Sequence, residues 1–300
     1  MATTISGINE ALVDQRIVEA LRHVLPLIKK FSYIIDEQDR IASDTVYVPA
    51  ATDPTVGDKT AGTFVTATGT LAGTVVTFNK FRGAGWDAVE GTMRASLLPQ
   101  YWADKAAGAV YGVAKDVIDT LLALITAANY SNVEGTDKIT VPAADFGQQD
   151  MARLWAVATK KIKRQKKLLM LGTDYAAAVF GDSNLALINA TAGKADLTTA
   201  NLPNFLDIEQ AIYPDFPTTG NLGGAVIGAA SMAVALCNPS GFLKSGDGNV
   251  LERRVITDPD SGLSAMYTVK ADAGGTLSGE VAMQFGVGKI QDSVVRLVSA

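Results

Sequence analysis

The chain reads as an α+β protein in which helical and extended stretches follow one another without regular alternation, and three observations predict it. A threonine- and valine-rich segment over 45–82 holds almost no leucine or isoleucine. A long helical stripe follows over 104–129. From Leu251 onward, polar and apolar residues alternate as they do in strands. No internal repeat of fixed period runs through the sequence. With 48% apolar and 19% charged residues in a chain of 300, there is material for a sizeable core, in one elaborate domain or two lobes.

The elements follow in order. Over 8–31, Leu12, Ile17, Leu21, Val24, Leu25 and Ile28 recur at helical spacing with Asp14, Arg16, Glu19 and Arg22 between them. This is an amphipathic helix, kinked or interrupted at Pro26, whose apolar face needs a cover. Either its own domain supplies that cover or, as an arm, a neighbouring chain does. In 45–82, branched Thr and Val favour extended backbone, while Asp53-Pro54 and Gly57-Asp58 supply turns. A ribbon so poor in large aliphatic residues makes no core of its own, and two-stranded ribbons are marginal in water. It should therefore either lie across a partner or flap.

In the stripe over 104–129, Val110, Val113, Ala114, Val117, Leu121, Leu124 and Ile125 share one face, with Lys105, Lys115, Asp116 and Asp119 off or beside it. Such a helix would run about 39 Å at 1.5 Å per residue. A second helix is expected over 146–165, from Met151, Leu154, Trp155, Ala158 and Ile162. LLMLG then reads as a buried strand, and Thr173-Asp174 as the cap of a short helix, YAAAVFG. Residues 189–205 read as a loop, and IEQAIYPDFP with AVIGAASMAVAL as short strands and a helical turn.

Catalytic chemistry has little to work with. His23 is the sole histidine and Cys237 the sole cysteine, so neither a nucleophile–imidazole pair nor a zinc cluster has recognisable spacing. Asp258, Asp260 and Gly262 resemble the start of a calcium loop, but the further acidic ligands are missing and the stretch reads as a turn. Gly83-Ala84-Gly85-Trp86-Asp87-Ala88 fits G-x-G-x-x-A, with Asp104 some twenty residues on. A nucleotide-cofactor enzyme built on Gly83 and Gly85 is thus an alternative reading. It lacks the second buried strand that a dinucleotide fold needs, and the glycines are expected to bend the chain where ribbon meets helix. Gly286-Val287-Gly288-Lys289 lacks the Ser or Thr of a P-loop. No catalytic, metal or cofactor residue is expected.

The net charge of −5 argues against a dedicated nucleic-acid binder, though not against a container that touches DNA weakly on one face. The run KKIKRQKK over 160–167 is read first as a solvated helix end. Lys160, Lys161, Lys163 and Arg164 could instead meet a neighbour or nucleic-acid phosphates. The longest apolar run, fifteen residues over 223–237, falls short of the roughly 20 a membrane span requires. The N-terminus has no secretory pattern, and the single cysteine suits a reducing cytoplasm.

Two stretches carry a family resemblance. DMARLWAVATKKIKRQKKLLMLGTDYAAAVFGD and IYPDFPTTGNLGGAVIGAASMAVAL, taken in order with the ribbon and long helix, resemble the major capsid proteins of tailed bacteriophages, the Hong Kong 97-type fold. The resemblance implies an N-terminal arm over 1–44, an extended β-hairpin loop over 45–82 and a peripheral domain with its spine helix over 83–139. An axial domain over 140–250 and closing strands over 251–300 complete it. It further implies a coat protein that self-assembles into pentamers and hexamers of an icosahedral head around double-stranded DNA. The virion is then its location and the bacterial cytoplasm its site of assembly. A portal and, because the sequence opens directly on the arm, a separate scaffolding protein are the expected partners, with no cofactor and no membrane. Lys59, Arg82, Asp87 and Glu90, at and beside the ribbon, are the candidate inter-subunit ion pairs. The family's Lys–Asn cross-link is not carried over, because Lys59 has no identifiable partner. The rivals are an encapsulin-like compartment shell, a tail tube or sheath subunit, and the cofactor enzyme.

Overall fold

The structure is a computed structural model that describes residues 8–37, 45–51, 71–89, 97–163, 165–182, 207–237, 250–258, 264–271 and 276–299. Its first helix, α1 (Glu10–Phe31), starts at Asn9, whose side chain accepts from Leu12 N at 3.2 Å. Lys29 and Lys30 in the last turn complement the helix dipole. The expected interruption at Pro26 does not occur, and the helix runs through it. Val13, Ile17 and Leu21 before the proline and Ile28 and Phe31 after it are all buried in one core. Each such side chain is worth about 1.5–3 kcal/mol, so together they outweigh the roughly 3 kcal/mol of an interior proline.

That core lies between α1 and α2 (Leu98–Leu122), which carries Pro99 in its first turn. Trp102, Ala106, Val110, Val113, Val117 and Leu121 form its buried stripe. The helix ends seven residues before the expected 129. Asn129 Nδ2 donates to the Leu124 carbonyl at 2.8 Å and Asn129 N to Thr126 Oγ1 at 3.2 Å, local bonds that compete with helical ones. Ile125 and Tyr130 stay buried regardless, which is why the apolar pattern outlasts the helix.

Two sheets flank these helices. The first has the order β1 (Ser32–Glu37), β9 (Met232–Cys237), β12 (Thr276–Lys289), β11 (Ser264–Ala271), β10 (Val250–Thr257), with β4 (Lys80–Val89) also on β12. β12 is long enough to pair antiparallel with β4 from Thr276 to Phe285 and with β9 from Gln284 to Lys289. The second has the order β5 (Lys138–Thr140), β13 (Val294–Val298), β8 (Leu222–Gly228), β6 (Lys167–Leu171), β7 (Ile208–Ile212). On it pack α3 (Gln148–Lys161), through Met151, Leu154, Val157 and Ala158, and α4 (Thr173–Gly181), through Tyr175, Ala176 and Val179.

Four expectations are corrected here. AVIGAASMAVAL holds no helical turn: β8 and β9 meet at a tight turn, and β9 is buried along its whole length. A strand buried on both faces reads as a continuous apolar run, which periodicity cannot tell from helix. The sheets also do not divide at residue 250, since β9 belongs to the first sheet and β13 to the second. α3 stops at Lys161 instead of 165, with Ile162 N closing onto the Ala158 carbonyl. The cap of α4 is Gly172 rather than Thr173-Asp174; the Thr173 hydroxyl donates to the Pro214 carbonyl at 3.4 Å. The expected loop over 189–205 lies outside the described residues.

Candidate assembly surface

The ribbon is present as β2 (Thr45–Ala51) paired antiparallel with β3 (Leu71–Thr77), in register from Thr45 opposite Thr77 to Ala51 opposite Leu71. Its alternation separates two faces. Val46, Val48 and Val76, with Phe78 beyond, are buried against Ala233, Ala235 and Cys237 of β9. Gly286 and Gly288 of β12 complete the seat. A Cβ on Gly286 would stand 2.2 Å from the Thr77 carbonyl oxygen, and one on Gly288 would stand 2.8 Å from Val76 Cγ2. The root of the ribbon therefore rests on its own chain, where composition alone had left it to lie across a partner or flap. Its outer face is different. Tyr47 and Val75, directly opposite each other, are 54% and 58% exposed.

The G-x-G-x-x-A segment neither bends the chain nor forms a phosphate turn. It lies wholly within β4, where Gly83 pairs with Ala282, Gly85 with Glu280 and Trp86 with Gly279. A dinucleotide cradle needs free N–H groups at a strand-to-helix turn, and an extended ladder strand provides no such turn. The glycines keep the outer surface low: a Cβ at Gly83 would meet Glu280 Oε1 at 2.6 Å. Inward, Trp86 packs edge-on to Trp102 at 5.4 Å between centroids and stacks on Tyr267 at 6.3 Å. Trp102 Nε1 donates to the Tyr267 hydroxyl at 2.6 Å, and burial pushes that phenol up to about 12.

The four ribbon-side candidates are not brought together. Arg82 Nε lies 3.3 Å from Asp116 Oδ2 of the same chain. Asp87 is exposed, five residues along the strand and so on its opposite face; its backbone carbonyl accepts from Tyr101 Oη at 3.1 Å. Lys59 and Glu90 lie outside the described residues.

The lysine run divides. Lys161 reaches Asp137 at 2.7 Å and Asp292 at 3.1 Å, with its side chain only 10% exposed, so its charge is spent within the chain. Burial pushes the Asp137 carboxyl up, but hydrogen bonds from Lys161 and Ser131, the Lys161 charge and the Val133 amide outweigh it and hold it below the usual range. Lys167 bonds Asp207, which lowers that carboxyl. Lys160 and Lys163 are exposed, and Arg164 lies outside the described residues.

Sequence reasoning missed the seat of Ala233, Ala235, Gly286 and Gly288, although small residues at alternate positions in AVA and GVG were a legible sign of a close backbone approach. It also missed a knot on α2. There Lys115 bridges Asp119 at 3.3 Å and Asp215 at 3.1 Å, while the Tyr213 hydroxyl donates to Asp119 at 2.5 Å. Among the described residues no three metal-ligating side chains gather, and no helix is long and apolar enough to cross a membrane. Cys237 is buried and Asp258 is held by Arg22 at 3.0 Å. His23 lies in α1, its side chain outside the description, as are Asp260 and Gly262.

No protein-family model and no curated protein matches the chain. Solved structures do. The capsid of cyanophage P-SCSP1u superposes at a TM-score of 0.56 and 13% identity, covering 90% of this chain and 86% of its own. The capsid of Ralstonia phage GP4 does so at 0.58 and 10%, covering 90% and 89%. A virus-like particle from Pyrococcus furiosus does so at 0.55 and 10%, covering 95% and 97%. The chain has the Hong Kong 97-type capsid fold. The fold is shared at so little identity because its sheets and helices rest on an apolar pattern that many sequences satisfy.

Proposed function

We propose that the chain is the major capsid protein of a tailed bacteriophage, self-assembling into pentamers and hexamers of an icosahedral shell around double-stranded DNA. The observation that carries this reading is the two-faced ribbon root, set in a fold it shares with subunits of closed shells. One face is fastened to the chain's own sheet, and the other presents Tyr47 and Val75 to whatever lies beyond. A heterologous contact of this kind, repeated with slight bending, closes rings of five and six copies. The role is mechanical, many modest contacts summed over many subunits.

Arg82 and Asp87, with Lys59 and Glu90, are proposed to enter ion pairs between subunits. For Arg82 this means exchanging or sharing Asp116. Lys160, Lys163 and Arg164 are proposed to touch a neighbour or packaged DNA through phosphates, weakly and without sequence preference. Assembly in the bacterial cytoplasm, with a separate scaffolding protein and a portal, belongs to the same reading.

The test is the Tyr47→Ser/Val75→Ser double variant, examined by electron microscopy and thermal unfolding. The expected result is an intact subunit with closed particles reduced more than tenfold. Wild-type shell yield would overturn the role given to the ribbon's outer face. A second reading, an encapsulin-like compartment, draws support from the 95% and 97% mutual coverage with the virus-like particle. Protein cargo in purified shells, in place of DNA, would decide for it.

A further inference from the structure

Helix α1 is tied at two places to β10 and the residue that follows it. In the middle of the helix, Arg22 Nε meets the buried carboxylate of Asp258 at 3.0 Å. Nearer its start, a single guanidinium serves three carboxylates. Arg254 Nη1 lies 3.2 Å from Glu10 Oε2 and 2.9 Å from Glu252 Oε1, and Nη2 lies 2.8 Å from Asp14 Oδ1. All four side chains are at least half buried, from 18% to 42% exposed. From β11, Tyr267 stands 5.3 Å beneath the guanidinium, and its hydroxyl already accepts from Trp102 of α2. The groups facing Arg254 are therefore Glu10 and Asp14 from α1, Glu252 from β10 and the neutral phenol of Tyr267. When all three acids are ionised the cluster carries two negative charges in excess, in surroundings that screen them poorly.

We propose that this cluster is a proton-operated clamp, which fastens the first half of α1 to β10 more tightly in acid than at neutral pH. Burial, first of all, raises the Asp14 carboxyl; Arg254 opposes this and Glu10 adds to it. Burial likewise raises Glu252, opposed by Arg254 and reinforced by Glu10 and Asp14. A group that binds its proton more tightly when docked stabilises docking as pH falls. Docking is therefore strongest below the ordinary values of 3.8 and 4.5 and weakest once pH passes the raised ones. As pH rises through the raised values, Asp14 and Glu252 each give up a proton and the repulsion around Arg254 grows. The Arg22–Asp258 tie keeps the middle of the helix in place, so the freed part is the stretch from residue 10 to about 21.

The experiment is amide hydrogen exchange on the full chain at pH 4.5 and pH 7, corrected for intrinsic rates and read over residues 11–21. Protection in the wild type is expected to be several-fold greater in acid. Glu252→Gln keeps the shape and removes one repelling charge, so it should raise protection at pH 7 and shrink the acid–neutral difference. Arg254→Met should lose protection at pH 7 and regain it at pH 4.5. Protection independent of pH in the wild type, or a Glu252→Gln variant with the full wild-type difference, would overturn the clamp. Should Arg254→Met fail to fold, the Glu252→Gln comparison decides alone.

Discussion

The Thr77 carbonyl oxygen occupies the space in which a side chain on Gly286 would begin, 2.2 Å from the position of its first carbon. The ribbon root thus sits on bare backbone, and that seat fixes where its outer face points. Gly286→Ala has no flexible neighbour to push aside, so it should lift β3 from β12 and lower the stability of the subunit by about 1–3 kcal/mol, read by denaturant unfolding. Gly288→Ala, which meets only the tip of Val76, should cost less.

The Lys161 tie gives a second expectation. Lys161→Met leaves Asp137, 6% exposed, without its main counter-charge and should cost about 3 kcal/mol in thermal or denaturant unfolding.

The same pair sets an acid limit. The Asp137 carboxyl is depressed in the folded protein, so the unfolded chain takes up its proton first as pH falls. The stability it supplies is complete above the ordinary value of 3.8 and is lost as pH drops through the lower folded value. A denaturation midpoint measured against pH should fall there, and the fall should be smaller in Asp137→Asn, which is weaker throughout.

The sandwich of Trp86, Trp102 and Tyr267 ties α2 to the first sheet. Tyr267→Phe removes the acceptor of the Trp102 indole and should cost about 1 kcal/mol, or up to about 3 if the donor stays dry. Gly279→Val would drive atoms into both indoles, since even a Cβ there lies 2.4 Å from Trp86 and 2.8 Å from Trp102, and should abolish folding. Circular dichroism and expression yield separate the two.

The second sheet offers a matching case. A Cβ on Gly223 would lie 2.0 Å from the ring of Tyr175, whose hydroxyl donates to the Val141 carbonyl at 2.7 Å. Gly223→Ala should therefore break that bond and lower the melting temperature. The double variant with Tyr175→Leu should recover part of the loss, because the obstructing ring is gone.

Elements with one dry face were legible in the sequence. The stripes of α1, α2 and α3 named many buried residues, Ile17, Leu21, Val110, Val117, Met151 and Leu154 among them. Leu12, Leu124 and Trp155 are only half-buried, while Val13, Trp102 and Val157 escaped. Val46, Val48 and Val76 fell on one face of the ribbon as strict alternation requires. What escaped were features set by tertiary contact. Pro26 should break a helix standing alone, and does not in one anchored on both sides. Gly83 and Gly85 have the spacing of a nucleotide turn, and only pairing with β12 reveals them as strand. The surface proposed for assembly was singled out by position, as a ribbon without a core. Its root nevertheless found cover at home, because the matching small residues lie some two hundred positions away in β9 and β12.

Besides its passage through α2, the chain passes between its two sheets at 229–231 and again at 290–293, and these two crossings are stitched together. Ile290 N donates to Ser231 O at 2.9 Å and Gly228 N to Ser293 O at 2.9 Å. Two straps side by side behave unlike a single thread. They resist twisting and sliding of one sheet past the other, yet they yield to folding along the line they define. In the shell proposed for it, a subunit so joined adjusts the angle between its sheets from one place on the curved surface to the next by bending at a single line.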